Sequence, residues 1–418
     1  MSLYGGKKVN QSSSKTIVQI NVTCNGSTGR IMNMIQQTAN RAGYRSISVF
    51  GRGKPPSQGE FIKIGNSMDI YSHVALTRIF DKHGLGSRKA TKKFISELEK
   101  INPSLIHLHN IHGYYINYAV LFNYIKEKEV PVIWTLHDCW AFTGHCSYFD
   151  YVQCDKWKTG CNKCPQKRSY PSSLFLDNSL SSYRLKKEFF TGIKKLTIVT
   201  PSNWLANLVS QSFLKEYPIK VINNGIDLNI FRPLNRKRIR EKLGISEDQF
   251  IILGVAASFT DKRKGYNYFL ELSEKIDDKC TIILIGVSKK QKQNLPKNII
   301  GFTRTENIEE LVEFYSMADV FVNPTLEDNF PTVNIEALAA GTPVVAFDTG
   351  GVSEVINEQC GCVVDKGNTE ALFNAILEVR CRNKKYYEEN CLNTSLRYRA
   401  EDKYNEYIKL YEEMMVDS

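Results

Sequence analysis

No apolar run in the sequence approaches the ~20 residues that a membrane-spanning helix requires, so no segment reads as a helical span. The opening stretch is polar and lacks the apolar core of an export signal. It reads as a disordered leader over residues 1–15, and a cytoplasmic protein is expected. A full G-x-G-x-x-G fingerprint is absent, with no acidic residue clearly placed for a dinucleotide ribose. Acidic residues are scarce in the first half. Residues 1–200 hold 28 Lys and Arg against 12 Asp and Glu, net +16, whereas residues 201–418 hold 27 against 32, net −5. No RNA- or DNA-binding signature accompanies the basic half, so nucleic acid is not an expected partner. An anionic membrane face, an acidic substrate or a plain solubilising surface would each account for it.

What is present is ordinary for a globular enzyme. Hydrophobic residues make up 42% and charged residues 24% of 418 positions, enough for two domains with their own cores. Short β-branched runs alternate with helical patterns. Strands are expected at 16–22, 46–50, 105–109, 132–137, 196–200 and 220–223, with helices at 30–42, 88–100 and 116–128 among them. The pattern restarts after residue 230, with strands at 250–256, 281–285, 320–323, 343–347 and 362–364 and helices at 265–276, 307–317, 332–340 and 369–380. Such alternation predicts parallel sheets with crossover helices. The expectation is an α/β protein of two doubly wound domains, 16–225 and 226–400, joined near Asn224-Gly225 and Pro233. A last amphipathic helix, in 401–418, either packs on its own domain or crosses back to the first. Ligands of open α/β sheets bind beyond the carboxyl ends of the strands, so the loops of two facing domains would line a cleft.

Four loops at expected strand ends carry phosphate chemistry. The first is Glu327-Asp328-Asn329-Phe330-Pro331-Thr332-Val333 leading to Glu336. Pro331 suits a helix start, where its missing N–H costs nothing. Free amides near Thr332 and Val333 and the helix dipole would hold a diphosphate, and Glu336, a turn later, would accept bonds from ribose hydroxyls. The second is Asp261-Lys262-Arg263-Lys264-Gly265, whose Arg263 and Lys264 could neutralise a leaving phosphate. In the third, Gly350-Gly351, and the fourth, Asn25-Gly26-Ser27-Thr28-Gly29-Arg30, glycines let backbone approach a ligand closely. Each loop alone is equally a surface turn; their recurrence at successive strand ends is the signal.

The run from Pro324 through Glu336 to Gly341-Thr342-Pro343-Val344-Val345-Ala346 resembles the glycosyl transferases group 1 domain, that is, glycosyltransferase family 4 with the GT-B fold: two Rossmann-like doubly wound domains facing across a cleft. Asn224-Gly225-Ile226-Asp227, Arg263-Lys264-Gly265, Ala318-Asp319 and Thr349-Gly350-Gly351 support it over nearly the whole chain. Gly26-Ser27-Thr28-Gly29-Arg30 and Thr135-Leu136-His137-Asp138 look like the bacterial subset that builds capsule and exopolysaccharide. The resemblance implies a retaining transfer from a nucleotide-diphosphate sugar to a saccharide or lipid-linked acceptor, with no catalytic metal. Carried over by position, Glu336 is the second acid of the family's E-x7-E motif. Asp328 stands where the first acid belongs, with Glu327 beside it, so the two share that role. His137 is similar to the active-site histidine, with Asp138 as an acid–base or acceptor contact. His109, Asn110 and His112 would line the acceptor pocket. A sugar-nucleotide epimerase of the same fold and a non-catalytic nucleotide-sugar-binding protein are the rival readings.

The stretch 139–170 reads as an insertion. Cys146, Cys154, Cys161 and Cys164 are spaced C-x7-C-x6-C-x2-C in an irregular segment. A structural zinc would hold it together; disulfides or four free thiols are the alternatives.

Overall fold

The computed structural model describes residues 15–416. The leader expected over 1–15 lies, Lys15 apart, outside the described residues. Seven parallel strands form the first sheet: β1 (Thr16–Thr23), β2 (Arg45–Arg52), β3 (Glu60–Lys63), β4 (Leu105–Leu108), β5 (Val132–Thr135), β6 (Leu196–Thr200) and β7 (Ile219–Val221). They lie in the order β3-β2-β1-β4-β5-β6-β7. Six more make the second: β8 (Phe250–Val255), β9 (Cys280–Ile285), β10 (Ile299–Phe302), β11 (Val320–Asn323), β12 (Val344–Phe347) and β13 (Gly361–Val364), in the order β10-β9-β8-β11-β12-β13. Parallel strands covered on both faces must be apolar on both, and they are: Ile17, Val18 and Ile20 of β1, and Ile282, Ile283 and Leu284 of β9, are fully buried.

Each sheet reverses its winding once, between β1 and β4 in the first and between β8 and β11 in the second. Loops splay apart at such switch points and leave a crevice for ligand. The loops after β1, β4, β8 and β11 carry most of the residues expected at the site.

The chain crosses between the domains twice, and the two crossings pair. Ile226 N donates to Tyr398 O and Ala400 N to Ile226 O, both at 2.8 Å. A Cβ on Gly225 would stand 2.6 Å from Ala400 Cα, so only glycine fits. After the second crossing the helix Ala400–Val416 returns to the first domain. Its Tyr404, Tyr407, Ile408 and Tyr411 pack with Ile17, Leu105, Ile133 and Val199 of the first sheet. Tyr411 Oη meets His107 Nδ1 at 2.7 Å, and Lys220 pairs with Glu413.

The insertion at 139–170 is held by an aromatic core. Phe149 and Trp157 stack at 4.9 Å, and Phe142 meets Trp157 edge-on at 5.3 Å. Zinc at Cys146, Cys154, Cys161 and Cys164 finds no support. Among the described residues no group of three or more His, Cys, Asp or Glu is disposed to hold a metal ion. The four are free thiols lining a small apolar pocket with Phe149 and Trp157. Here the hydrogen bond with Cys164, then burial, pushes Cys146 well up, and burial pushes Cys161 up to about 11. That same bond to Cys146 lowers Cys164 to about 7.

Candidate active site

Both switch points open into one cavity of about 560 Å³ between the domains. On the second domain's side it is lined by Lys264, the run Asp328, Asn329, Phe330, Pro331, Thr332 and Val333, and Glu336. Pro331 is the N-cap of the helix Thr332–Ala339, and no side chain caps that helix. First-turn amides have no intrahelical partner, so with the dipole they offer an anion a place at Thr332 and Val333. On the first domain's side the helix Gly26–Arg41 brings a second N-terminus without a side-chain cap, Gly26 to Thr28. Arg30 and Arg304 join Lys264 as cations around the same space. Two helix starts and three cations suit a ligand bearing two or more negative charges.

Glu336 is buried one turn into its helix, and Tyr315 Oη donates to its Oε2 at 3.0 Å. Burial lifts its pKa above that of an ordinary glutamate, while the charge of Arg30 pulls the other way.

The two acids before that helix separate. Asp328 lines the cavity and pairs with Lys264 at 2.6 Å. Glu327 turns away: its Oε1 accepts Tyr151 N at 3.0 Å from the cysteine-rich insertion, and its Oε2 lies 3.6 Å from Arg263 Nη1. The cations expected as a pair separate likewise. Lys264 reaches ligand space, whereas Arg263 does not line it. Nε and Nη2 of Arg263 take both oxygens of Asp261 at 3.1 and 2.7 Å, and its guanidinium carbon lies 4.6 Å from the Tyr148 ring centre. Arg263 therefore fastens the second domain to the insertion of the first. Gly350 and Gly351 stand behind the acidic loop and do not line the cavity. A Cβ on Gly350, at φ 60°, would sit 1.9 Å from Asp328 O, and Gly351 N donates to Asn329 O at 2.8 Å. Gly29 also lies off the cavity; a Cβ there would strike the Cys24 carbonyl carbon at 2.4 Å. Asn329 links the domains, accepting from Ser202 Oγ at 2.8 Å and donating to His137 O at 3.3 Å.

His137 also lines a smaller adjoining pocket with His109, Asn110, His112 and Asp138. Its protonation follows from its neighbours. Gln19 Nε2 donates to Met32 O, which turns Gln19 Oε1 toward His109 Nε2 at 3.3 Å. His109 thus carries its proton on Nε2 and accepts on Nδ1 from His137 Nε2 at 3.1 Å. Burial holds the His137 pKa down at about 4 despite neighbouring Asp138, so at neutral pH its Nδ1 is a lone pair. Burial opposes ionisation of Asp138. Its contact with His112 at 2.8 Å and the Trp140 amide at 2.9 Å outweigh that, and its pKa falls below the ordinary aspartate value. Asn110 is fixed by Asn21 Oδ1 on its amide and by Tyr115 Oη on its carbonyl.

Two family models match: Glycosyltransferase Family 4 over residues 25–230 and Glycosyl transferases group 1 over residues 250–380. The chain belongs to the group 1 glycosyltransferases of GT-B fold. The transferase is 26% identical to WcaC of Escherichia coli (strain K12), provisionally named a colanic acid biosynthesis glycosyl transferase, over 84% of this chain and 87% of WcaC. Among solved structures it superposes on sucrose-phosphate synthase of Thermosynechococcus elongatus with a TM-score of 0.72 at 18% identity, covering 97% of this chain and 100% of that one. HepE of Anabaena, solved with UDP-glucose, superposes with a TM-score of 0.66 at 14% identity, covering 95% and 99%. These likenesses show the two-domain fold.

Sequence reasoning missed several lining residues of the transferase. Arg30 lay in a loop noticed for its glycines. Arg304 follows β10, a strand that presents no continuous apolar run, and the strand order β10-β9-β8 brings its loop to the cavity. Tyr148, Gly286 and Thr305 also line the space, and nothing in their local sequence marks them.

Proposed function

We propose that this transferase moves a sugar, with retention at its anomeric carbon, from a nucleotide-diphosphate sugar to a saccharide or lipid-linked saccharide acceptor in the assembly of bacterial surface polysaccharide. The observation that carries the reading is the convergence of Lys264, the uncapped helix start at Thr332 and Val333, and Glu336 on one interdomain cavity. Lys264 and the amides, with Arg30 and Arg304, hold the diphosphate and take up its charge as the bond to C1 breaks. Glu336 accepts from the ribose hydroxyls. Asp328, and not Glu327, is the acid that meets the sugar, because it alone of the two lines the cavity. The acceptor oxygen bonds C1 on the face the diphosphate leaves, and its proton passes to a phosphate oxygen. No side-chain base or catalytic metal is required by that step. This suits a site in which Asp138 is already paired and neutral His137 positions the sugar. His109, Asn110 and His112 form the acceptor's side.

The UDP-glucose held by HepE supports the donor class, and the name of WcaC supports the polysaccharide context. Among the described residues no helix is long and apolar enough to cross a membrane, in keeping with a cytoplasmic enzyme attached peripherally to the inner face of the membrane. Thermal-shift titration with UDP, GDP and ADP sugars will identify the donor, and NMR of the product will give its anomeric configuration. An inverted product would sink retention. Donor isomerised at full rate without acceptor would favour an epimerase, and no turnover of any donor a binding protein.

A further inference from the structure

The helix Ser67–Phe80 presents large apolar side chains to solvent. Its buried positions are His73 and Thr77, whereas Met68, Tyr71, Ile79 and Phe80 are 78%, 73%, 43% and 46% exposed. Positions 68, 71, 75 and 79 fall on one helical face, so Met68, Tyr71, Ala75 and Ile79 form an outward apolar stripe. The stripe continues beyond the helix. Leu174 N donates to Arg78 O at 2.8 Å and Asn178 Nδ2 to Phe80 O at 2.6 Å, which lays residues 174–180 along its end. That segment also turns apolar side chains outward, with Leu174 50%, Phe175 69% and Leu176 46% exposed. A contiguous apolar surface of this extent marks an interaction site.

Its border carries more positive than negative charge. Arg78 is exposed on the helix, Lys82 just after it and Arg168 in the stretch before Leu174, and Lys167 Nζ reaches Phe175 O at 3.2 Å. The acids there are already engaged. Asp69 closes the capping box of the helix, Asp81 pairs with buried His145 at 2.7 Å, and Asp177 accepts the amides of Cys164 and Ser179. The surface also leads to the site. Tyr170, at its edge, meets His112 Nδ1 at 2.9 Å, and His112 lies 2.8 Å from Asp138 in the smaller pocket.

We propose that this surface seats the protein on an anionic bilayer. The apolar side chains enter the interfacial layer, and Arg78, Lys82, Lys167 and Arg168 meet the headgroups. A lipid-linked acceptor then reaches His112 and Asp138 without leaving the membrane. The proposal rests on the transferase reading above and names the docking surface that reading needs.

The test is co-sedimentation of the full chain with vesicles of phosphatidylglycerol and phosphatidylethanolamine, against vesicles of phosphatidylcholine alone. Salt-sensitive binding to the anionic vesicles is expected. Replacing Met68, Tyr71, Ile79 and Phe175 together by Ser should lower the partition coefficient roughly tenfold or more. Arg78→Glu with Arg168→Glu should weaken binding to the anionic vesicles alone. All six positions are exposed, so the melting temperature and nucleoside-diphosphate binding should stay at wild-type values. The proposal is overturned if the wild type binds neither vesicle, if the quadruple variant binds as well as the wild type, or if that variant instead turns an oligomer into a monomer by light scattering. Failure of the transferase reading would appear separately, as wild-type protein that binds no nucleoside diphosphate with or without vesicles.

Discussion

Lys264→Met removes the cation that the cavity places beside Asp328 and keeps most of the side-chain volume. In the free protein Lys264 Nζ lies 2.6 Å from Asp328, with the two side chains 28% and 21% exposed. Solvent therefore screens the pair in part, and the charge is available to a ligand. A charge-assisted hydrogen bond to phosphate contributes about 1.5–3 kcal/mol, which at ~1.4 kcal/mol per decade weakens a nucleoside diphosphate roughly 10- to 150-fold. The substitution also leaves Asp328 unpaired beside the diphosphate. Asp328→Asn in the Lys264→Met background should thus recover part of the loss, although Asp328→Asn in the wild type gains nothing of the kind. Transfer should fall further than binding, by about 10²–10³, if Lys264 stabilises charge that grows only as the glycosidic bond breaks. Isothermal titration of the four proteins of the cycle, with initial rates on the identified donor, measures each quantity. An affinity for diphosphate within twofold of wild type in Lys264→Met would refute the anion-site reasoning.

Glu327→Gln and Asp328→Asn should separate, the former lowering thermal stability with modest loss of transfer and the latter abolishing transfer with stability near wild type; equal kinetic losses would undo the assignment of the sugar to Asp328. Gly350→Ala forces a Cβ onto Asp328 O and should cost donor affinity by displacing the acidic loop, read by titration calorimetry. Tyr411→Phe leaves buried His107 Nδ1 without its partner and should destabilise by about 1–3 kcal/mol in urea unfolding. Burial brings Lys186, which donates to Trp140 O and Thr143 O, down to about 7. Its folded pKa lies below the unfolded one, so between about pH 7 and the ordinary lysine value of ~10.4 the unfolded chain binds the extra proton and stability rises with pH. Stability measured as a function of pH should show that rise in the wild type relative to Lys186→Met; parallel curves would mean Lys186 does not titrate there.

The paired domains could be read from sequence because fully buried parallel strands are continuous apolar runs, and β6 and β11 begin and end where those runs do. The edge strands could not. In β3 no residue is fully buried, and β10 alternates with Gly301 inside it, so neither presents a run. The helix Ser67–Phe80 escaped because its two fully buried positions, His73 and Thr77, are polar while Met68, Tyr71 and Ile79 face outward, which blurs the periodicity that betrays a surface helix. At the site, the uncapped start at Pro331 was legible from local chemistry alone. Arg263 and Lys264 are adjacent and chemically alike. Which of them lines the cavity is decided by Asp261, two residues earlier, and by Tyr148 on the other domain, a contact that exists only in three dimensions. The cysteine spacing suggested a metal that no group of ligands among the described residues supports, and Phe142, Phe149 and Trp157 pack at the centre of that segment instead.

The returning helix Ala400–Val416 has a consequence for biosynthesis. The helix that completes the cover over Ile17, Leu105, Ile133 and Val199, beside Ile31, Ile35 and Ala39 of the first domain itself, is translated after the whole of the second domain's sheet. The first domain therefore cannot finish packing as it emerges, in the order common for multidomain chains; part of that face stays exposed until the second domain has been made. A gene cut at the joint should therefore yield an aggregating first half that stays in solution only when the closing helix is supplied to it, in trans or by fusion.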